Sequence, residues 1–192
     1  MPAPNPDALA FLLSRRSRPA KTLGAEGPDR EGLRVLLTAA ARAPDHGKLE
    51  PWRFVVIEGA ARDRLAVLAR RRGDAIGLAP EKAEKAAAAF GQGAVIVAVI
   101  AAPQPSEKIP ETEQILSAGC VCLGLVNAAL AAGWGANWLT GFTATDRPFL
   151  EEALGLAAPG FVAGYIHIGA ETVAPSERPR PEIDAITRWL EA

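Results

Sequence analysis

The order of helices and strands predicted along this 192-residue chain is typical of an α+β domain. Two helices are expected before the first strand, and the later elements do not alternate in the βαβ rhythm that a parallel sheet requires. No internal repeat or long low-complexity linker divides the sequence, and a chain of this length is in the range of one domain. We therefore predict a single α+β domain over residues 1–192.

The composition is that of an ordinary globular protein. Hydrophobic residues make up 49% and charged residues 22% of the chain, so widespread disorder is not expected. The formal net charge of −1 argues against a nucleic acid or an anionic membrane held by bulk charge. Arginines are concentrated in the first half of the sequence, which favours a local anionic ligand.

The two N-terminal helices are predicted from their first and last residues. Asp7 is expected to cap the first helix, which carries its leucines on one face and ends near Arg15 and Arg16. Asp29 precedes the second helix, and Pro44 ends it because proline cannot continue a helix.

The middle of the chain is predicted to contain two strands and two helices. Aromatic and β-branched residues at 51–57 predict the first strand. Helices are expected over about 61–72 and 80–90. The apolar run at 94–101 predicts a strand buried on both faces, and 103–110 is expected to be a polar loop.

The C-terminal third is expected to contain a short strand or extended turn at 136–140, a small helix at about 148–154 and a last strand at 161–168. The proline-rich stretch 172–181 cannot form a core of its own. We expect it either to fray or to lie on another surface, such as that of a partner subunit.

The segment 115–136 is almost uncharged and long enough to cross a membrane. It is rich in alanine and glycine, contains Ser117 and Asn127, and has no flanking cationic cluster. A buried core or interface helix ending near Gly133 is therefore favoured over a membrane span. A stripe of small residues along this helix allows close packing, either within one chain or between subunits; it comprises Cys120, Gly124, Ala128 and Ala132.

The only two cysteines are Cys120 and Cys122. Side chains at i and i+2 of a helix point to opposite faces, so neither a disulfide nor metal chelation by this pair is expected. Both are predicted to be small buried hydrophobes in a reducing compartment. Near the N-terminus, Arg15 and Arg16 follow the apolar stretch, which is the wrong order for a secretory signal. We therefore expect a cytoplasmic protein with no membrane partner.

Arg15, Arg16 and Ser17 place two guanidinium groups and a hydroxyl side by side after an apolar helix. A guanidinium matches phosphate oxygens in bidentate fashion. The same tripeptide also fits a solvated helix end, where cations complement the helix dipole. The tripeptide alone does not decide between these interpretations.

A longer motif favours the ligand-binding interpretation over the solvated helix end. Residues 42–54 read R-A-P-D-H-G-K-L-E-P-W-R-F, which is a helix stop, a polar loop with Arg42 and His46, and the start of a strand. Further along the chain come S-A-G-C, G-A-N-W-L-T-G and G-Y-I-H-I-G-A. In this order the motifs resemble those of the nitroreductase family, which is FMN-dependent and dimeric, and are most similar to its small YdjA-like branch. The resemblance covers essentially the whole chain.

The resemblance implies a three-layer α+β fold, with a mostly antiparallel central sheet flanked by helices, in a homodimer with two interfacial FMN sites. It implies hydride transfer from NAD(P)H through the flavin to a nitroaromatic, quinone or enone, in a ping-pong sequence. Because the flavin carries the chemistry, no catalytic side chain is assigned. With no acidic cluster near its two histidines, the chain is not expected to bind a metal.

The resemblance also assigns cofactor-binding residues. The phosphate and ribityl side of FMN should be held by Arg15, Arg16 and Ser17, with Arg180 of the tail as a further phosphate contact, although a solvated tail fits equally. The flavin should be contacted by Arg42 and His46, one of them reaching the other subunit's flavin. The isoalloxazine should lie against Trp138, Leu139 and Thr140. Nicotinamide nucleotide should be bound at Ala128, Ala129, Leu130, Ala131, Ala132 and Gly133. The tail, about 172–192, is expected to pack on the partner.

Leu139 departs from the family pattern, because many relatives carry Arg or Lys there. This departure keeps two alternatives open. One is a flavin-dependent enzyme of another reaction type, flavin-destroying or dehalogenase-like, and the other is a non-catalytic flavin- or nucleotide-binding dimer. Outside the motifs, His167 is expected to be a core or interface histidine and residues 70–72 a solvated arginine face. Packing roles are expected for Trp52, Trp134 and Trp189.

Overall fold

A four-stranded antiparallel sheet forms the centre of the computed structural model, which describes residue 1 and residues 3–191. The spatial order of the strands is β1-β2-β4-β3. All residues of β2 are buried, as expected for a strand covered on both faces. The strands are β1 (Trp52–Ile57), β2 (Val95–Ala101), β3 (Gly135–Leu139) and β4 (Phe161–Gly169).

Helices cover both faces of the sheet. On one face α3, α4 and α6 bury the side chains of Ile57, Ile96 and Tyr165; on the other, α2 and α5 bury Val97 and Ile166. This arrangement confirms the predicted three-layer α+β fold. Within the described residues the α-helices are α1 (Pro6–Ser14), α2 (Arg30–Ala40), α3 (Ala60–Ala75), α4 (Pro80–Ala89), α5 (Glu111–Ala131), α6 (Arg147–Leu154) and α7 (Ile183–Ile186).

The cap of α1 differs from the prediction. Asn5, rather than Asp7, caps the helix, and its Oδ1 accepts from the Ala8 amide at 3.0 Å. Proline is favoured at the first helical position, so Pro6 begins the helix and the cap precedes it. The predicted start of α2 after Asp29 is confirmed, and Asp29 caps the helix by accepting from the Gly32 amide. The predicted end at Pro44 was too late, because α2 ends at Ala40.

The long helix α5 lies beside α2 on one face of the sheet. By length and composition it could cross a membrane, yet its inner face packs on three strands (β2, β3 and β4) and on α2. A Cβ at Gly124 would lie 3.3 Å from the Cα of Ala40, so the small-residue stripe permits a close helix approach within the chain. Cys122 is buried, which raises the pKa of its thiol to about 12. Cys120 is exposed, so the prediction that both cysteines are buried was wrong.

A bulge in β4 shapes the site described below. Val99 pairs with Gly164, whereas the next residue of β2, Ile100, pairs with Val162. One residue, Ala163, is therefore extra in β4, which re-aims the side chains on either side of it. The indole of Trp138 lies over Gly164, where a Cβ would collide with its Nε1.

Two surface predictions need correction. Arg70 and Arg71 form exposed ion pairs, but Arg72 is not part of a solvated face: it binds Asp146 at 3.0 Å in a largely buried pair that joins α3 to α6. Trp189 does not pack within the chain, because its side chain is exposed. Trp52 and Trp134 pack against the α2–α5 core as predicted.

Candidate functional site

The segment of Arg15 to Arg18 leaves α1 and attaches to the start of β3. The Arg18 amide donates to the Ala136 carbonyl at 2.8 Å, and the Asn137 Nδ2 donates to the Arg18 carbonyl at 2.8 Å. The arginine motif is thus held against the strand that continues to Trp138.

A cleft of about 280 Å³ opens between this segment and the C-terminal end of α5. Arg15, Arg16 and Arg18 line it together with Leu130 and Gly133. The structure therefore joins the predicted phosphate-binding arginines to two members of the predicted nicotinamide-binding stretch. The other members do not line it: Ala129 is buried in the core, Ala128 packs beside it, and Ala131 and Ala132 are exposed.

Three guanidinium groups line this cleft and that of Arg180 lies beside them, and the contacts of the four differ. Arg18 forms an ion pair with Glu171, and Arg180 forms one with Glu177 at 2.8 Å. Arg180 also approaches the Arg15 carbonyl at 3.5 Å, so this tail residue lies beside the cluster.

Arg15 and Arg16 contact only neutral oxygens among the described residues. A terminal nitrogen of Arg15 donates to the Ser17 hydroxyl at 3.0 Å, while its Nε is buried without a partner. Arg16 donates to the carbonyls of Ser17 (3.2 Å) and Ser176 (3.4 Å). These two cations lack carboxylate partners in the described part of the chain.

The pKa of Arg15 is lowered, first by burial and then by the positive charges of Arg180, Arg16 and Arg18. A guanidinium stays protonated at any physiological pH. The charged guanidinium is therefore disfavoured first by its burial and second by the excess of positive charge around it. A phosphate monoester, which carries close to two negative charges and three acceptor oxygens, fits both the excess charge and the unpartnered Nε.

Trp138, Leu139 and Thr140 lie at the free edge of the sheet. The Trp138 indole donates to the Ala163 carbonyl at 3.1 Å and remains partly exposed. Leu139 and Thr140 line a small cavity beside Tyr165 and His167. Burial lowers the pKa of His167 to about 4, and its Nδ1 lies 3.2 Å from the Gln92 carbonyl. This confirms the prediction of a core histidine.

The loop after α2 carries Arg42 and His46, both exposed. Asp45 holds the loop closed, because its carboxylate accepts from the amides of Leu49 (3.2 Å) and Glu50 (2.8 Å). Gly47 adopts φ +72°, and the non-glycine residues Lys48 and Glu50 adopt φ +55° and +47°. Such backbone conformations persist only where surrounding contacts hold them.

Side chains beneath the loop supply these contacts. The Ser117 hydroxyl on α5 donates to the Pro44 carbonyl at 2.6 Å and accepts from the Trp52 indole at 3.2 Å. A Cβ at Gly47 would collide with Ile109. The loop is therefore packed onto the N-terminal half of α5.

His46 and the arginine cluster lie at opposite ends of α5. His46 Nδ1 is 2.7 Å from the Glu113 carboxylate in the first turn of the helix, whereas the cleft contains Leu130 near the last turn. At 1.5 Å per residue these positions are about 26 Å apart. One chain therefore does not bring Arg42 and His46 to Arg15 and Arg16.

The sequence pattern that defines the nitroreductase family matches residues 12–170. The chain belongs to the nitroreductase family. It is 35% identical over 170 residues, or 88% of this chain and 91% of the relative, to the Escherichia coli K12 protein YdjA, which is named as an NAD(P)H nitroreductase. Members of this family are oxidoreductases, and so is this protein.

Solved structures share the nitroreductase fold. A nitroreductase-like family protein from Bacillus cereus superposes with a TM-score of 0.80 at 21% identity, covering 100% of both chains. A nitroreductase of Desulfovibrio desulfuricans, solved in complex with FMN, superposes with a TM-score of 0.72 at 23% identity, covering 99% of this chain and 100% of that one. At these identities the likeness establishes the fold alone.

Sequence reasoning missed several residues of this region. Arg18 directly follows the R-R-S motif and could have been included with it. Ser117 opens the S-A-G-C motif, but its hydrogen bonds to the loop carry no sequence signal. Glu113 and Glu171 are far in sequence from the partners they bind. Within the described residues no cluster of three metal-ligating side chains is found.

Proposed function

We propose that this nitroreductase-family protein is an FMN-dependent oxidoreductase that passes hydride from NAD(P)H, through the flavin, to a small organic acceptor such as a nitroaromatic, quinone or enone. The observation that carries the proposal is the pair Arg15 and Arg16, which have no carboxylate partner in the described chain. The Nε of Arg15 is also buried without a hydrogen-bond partner. The FMN complex of a structural relative and the name of YdjA support it.

The residues around the cleft suit the parts of the cofactor. Arg15, Arg16 and the Ser17 hydroxyl would hold the phosphate, with Arg180 nearby. The edge strand from Trp138 to Thr140 would lie beside the ring. When bound, the flavin supplies hydride acceptance and donation. The side chains bind and orient it, and no general base is required. The stretch 128–133 would admit nicotinamide mainly through Leu130 and Gly133. The acceptor would use the same cleft after nicotinamide leaves, which is a ping-pong sequence.

A homodimer would complete the site. The outer face of α5 carries a stripe spaced alternately by four and three residues, as at a helix–helix seam. Leu116 and Leu123 in this stripe are 64% and 47% exposed, and such apolar patches mark interfaces. The stripe, which we call the α5 seam, comprises Leu116, Cys120, Leu123, Asn127 and Leu130.

The relative direction of the two α5 helices decides which ends of the two protomers lie together. If two copies of α5 cross in antiparallel fashion about a two-fold axis near their midpoints, the His46 end of one lies against the arginine end of the other. Each flavin would then contact Arg15 and Arg16 of one protomer and Arg42 and His46 of its partner. We propose this arrangement, with the tail 172–192 on the partner, because Ile183, Ile186, Trp189 and Leu190 are exposed. We place the dimer in the cytoplasm.

An anaerobic stopped-flow experiment tests the function. Purified protein reconstituted with FMN should lose its flavin absorption on mixing with NADH or NADPH and regain it with a quinone or nitroaromatic acceptor. Flavin that binds without being reduced would instead favour a non-catalytic binding dimer. Oxygen consumption with loss of the flavin spectrum would favour the flavin-destroying alternative.

The Arg15→Ala variant tests the binding site separately. Losing a charge-assisted contact of about 1.5–3 kcal/mol should raise the Kd for FMN about 10- to 150-fold, measured by flavin fluorescence titration. Arg178→Ala is the matched control, because its side chain is exposed in the tail and its Kd should equal that of the wild type. Equal affinity of Arg15→Ala and the wild type would reject the assigned phosphate site.

A further inference from the structure

We propose that Glu113 is a positioning residue for His46: it holds the imidazole in the Nδ1–H tautomer and so presents Nε2 as a hydrogen-bond acceptor to an N–H or O–H group of the flavin nucleotide. The inference rests on the proposed function, because it requires His46 to face a flavin.

The first support is the contact itself. His46 Nδ1 lies 2.7 Å from the Glu113 carboxylate, and an ionised carboxylate can only accept. The proton of a neutral imidazole is therefore on Nδ1, and Nε2 carries the lone pair. Free imidazole has no such constraint, and the hydrogen bond of one ring nitrogen decides the role of the other.

The second support is that the backbone of the loop is held. Asp45 binds two amides of its own loop, and Ser117 binds the Pro44 carbonyl. Two non-glycine residues remain in the left-handed region. A solvated surface loop would relax such conformations, so the structure around His46 is maintained against a backbone cost.

The third support is that Glu113 is the charged group which reaches the ring. Among the described residues no other ionisable side chain lies within hydrogen-bond distance of His46. Asp45 is engaged with amides of its own loop. The other charged groups on the loop and on the elements packed against it are Arg42, Lys48, Glu50, Arg53, Glu107, Lys108 and Glu111.

FMN offers suitable partners for an acceptor nitrogen, namely the single N–H of its ring and the hydroxyls of its ribityl chain. A neutral histidine in the other tautomer would present an N–H instead and could not accept from these groups. The role assigned to Glu113 is therefore to make Nε2 of His46 a hydrogen-bond acceptor instead of a donor. No proton or electron is transferred in this role.

Nitrogen NMR tests the tautomer directly, without a cofactor. The chain has only two histidines, so long-range ¹H–¹⁵N spectra at pH 9 should show two neutral imidazoles, and the His46→Ala spectrum assigns them. We expect the Nδ1–H tautomer for His46 in the wild type and in Glu113→Gln, whose amide oxygen still accepts. In Glu113→Ala the population should shift toward Nε2–H. Glu111→Ala is the matched control, because it removes the same type of side chain two residues earlier on α5, and it should leave the tautomer populations of His46 unchanged.

Flavin titration tests the consequence. Glu113→Ala should weaken FMN binding about 3- to 10-fold, the range of one hydrogen bond, and Glu113→Gln should restore it. In a His46→Ala background, Glu113→Ala should have no further effect, because Glu113 acts through His46. An unchanged tautomer, or an equal loss of affinity in both backgrounds, overturns the inference.

The two proposals fail in different ways. A wild-type protein that does not bind FMN, or is not reduced by NAD(P)H, contradicts the proposed function. A wild-type protein that does both, while Glu113→Ala keeps the wild-type tautomer and Kd, contradicts only the role of Glu113.

Discussion

Arg15 differs from Arg18 and Arg180 in what surrounds its guanidinium. The latter two are neutralised by Glu171 and Glu177, whereas Arg15 is half-buried with only a hydroxyl partner. A buried charge without a counter-ion is destabilising unless a ligand supplies one. The same residue type is thus paired with a carboxylate at two positions and left without one at a third, which is why we propose Arg15 as a phosphate ligand.

His167 gives a prediction at the residue scale. Its folded-state pKa of about 4 lies below the ordinary value of 6.5 because the ring is buried. Between these pH values the unfolded chain binds a proton that the folded protein does not. Stability should therefore fall as pH drops from 6.5 to 4, by about 3 kcal/mol. His167→Gln should remove this part of the pH dependence, measured by urea unfolding at a series of pH values.

Tyr165→Phe is the control for this measurement: it changes another buried side chain of β4, but a phenol does not titrate between these pH values, so the wild-type slope of stability against pH should remain. Parallel pH profiles for His167→Gln and the wild type would contradict the assignment.

At the scale of elements, the bulge in β4 and the glycine beside it decide where the indole of Trp138 lies. Gly164 leaves room for the ring, and the Ala163 carbonyl accepts its N–H. Because Trp138 directly precedes Leu139 and Thr140, this contact also fixes the end of the edge strand at the proposed flavin site.

Gly164→Ala should therefore destabilise the protein by about 1–3 kcal/mol, the usual cost of overpacking, and should weaken FMN binding. Gly119→Ala approaches the same indole from α5, but its Cβ would lie at an ordinary 4.0 Å. An alanine there should leave stability unchanged or raise it by up to about 1 kcal/mol. Urea unfolding compares the two variants, and equal effects would exclude the role given to Gly164.

At the scale of the whole molecule, the proposed dimer would account both for the exposed α5 seam and for the distance between the arginine cleft and the His46 loop. The cleft and the His46 loop lie about 26 Å apart along α5, and the exposed leucines lie between them. Two α5 helices that cross in antiparallel fashion about a two-fold axis would bury the seam and bring the cleft of one protomer to the His46 loop of its partner, whereas a parallel arrangement would pair like ends.

Cys120 reports on this arrangement because it lies on the seam near the middle of α5, while Cys122 is buried. A short bis-maleimide should cross-link the wild type and the Cys122→Ala variant into covalent dimers. Cys120→Ala should remain monomeric on denaturing gels. Absence of cross-linking in a protein that sedimentation shows to be dimeric would place the interface elsewhere.

Local patterns were enough to predict the elements. Alternation and β-branched runs located all four strands, and caps and prolines located most helix ends, because these signals depend on neighbours within a few residues. The ordered motifs also indicated the family, and they supplied the residues of the proposed flavin site. Asp7 was misassigned as a cap because Pro6 competes for the first helical position, which is still a local effect.

What the sequence determined by itself is therefore the set of elements, the family, and the residue types that suit a phosphate. The tertiary structure decided which face of α5 is covered, so that Cys122 is buried and Cys120 is not, and which arginines receive carboxylates from distant segments. It also placed Arg15 and His46 at opposite ends of one helix and paired His46 with Glu113. These outcomes depend on contacts between segments far apart in sequence, and periodicity records only that a helix has an apolar face, not what packs against it.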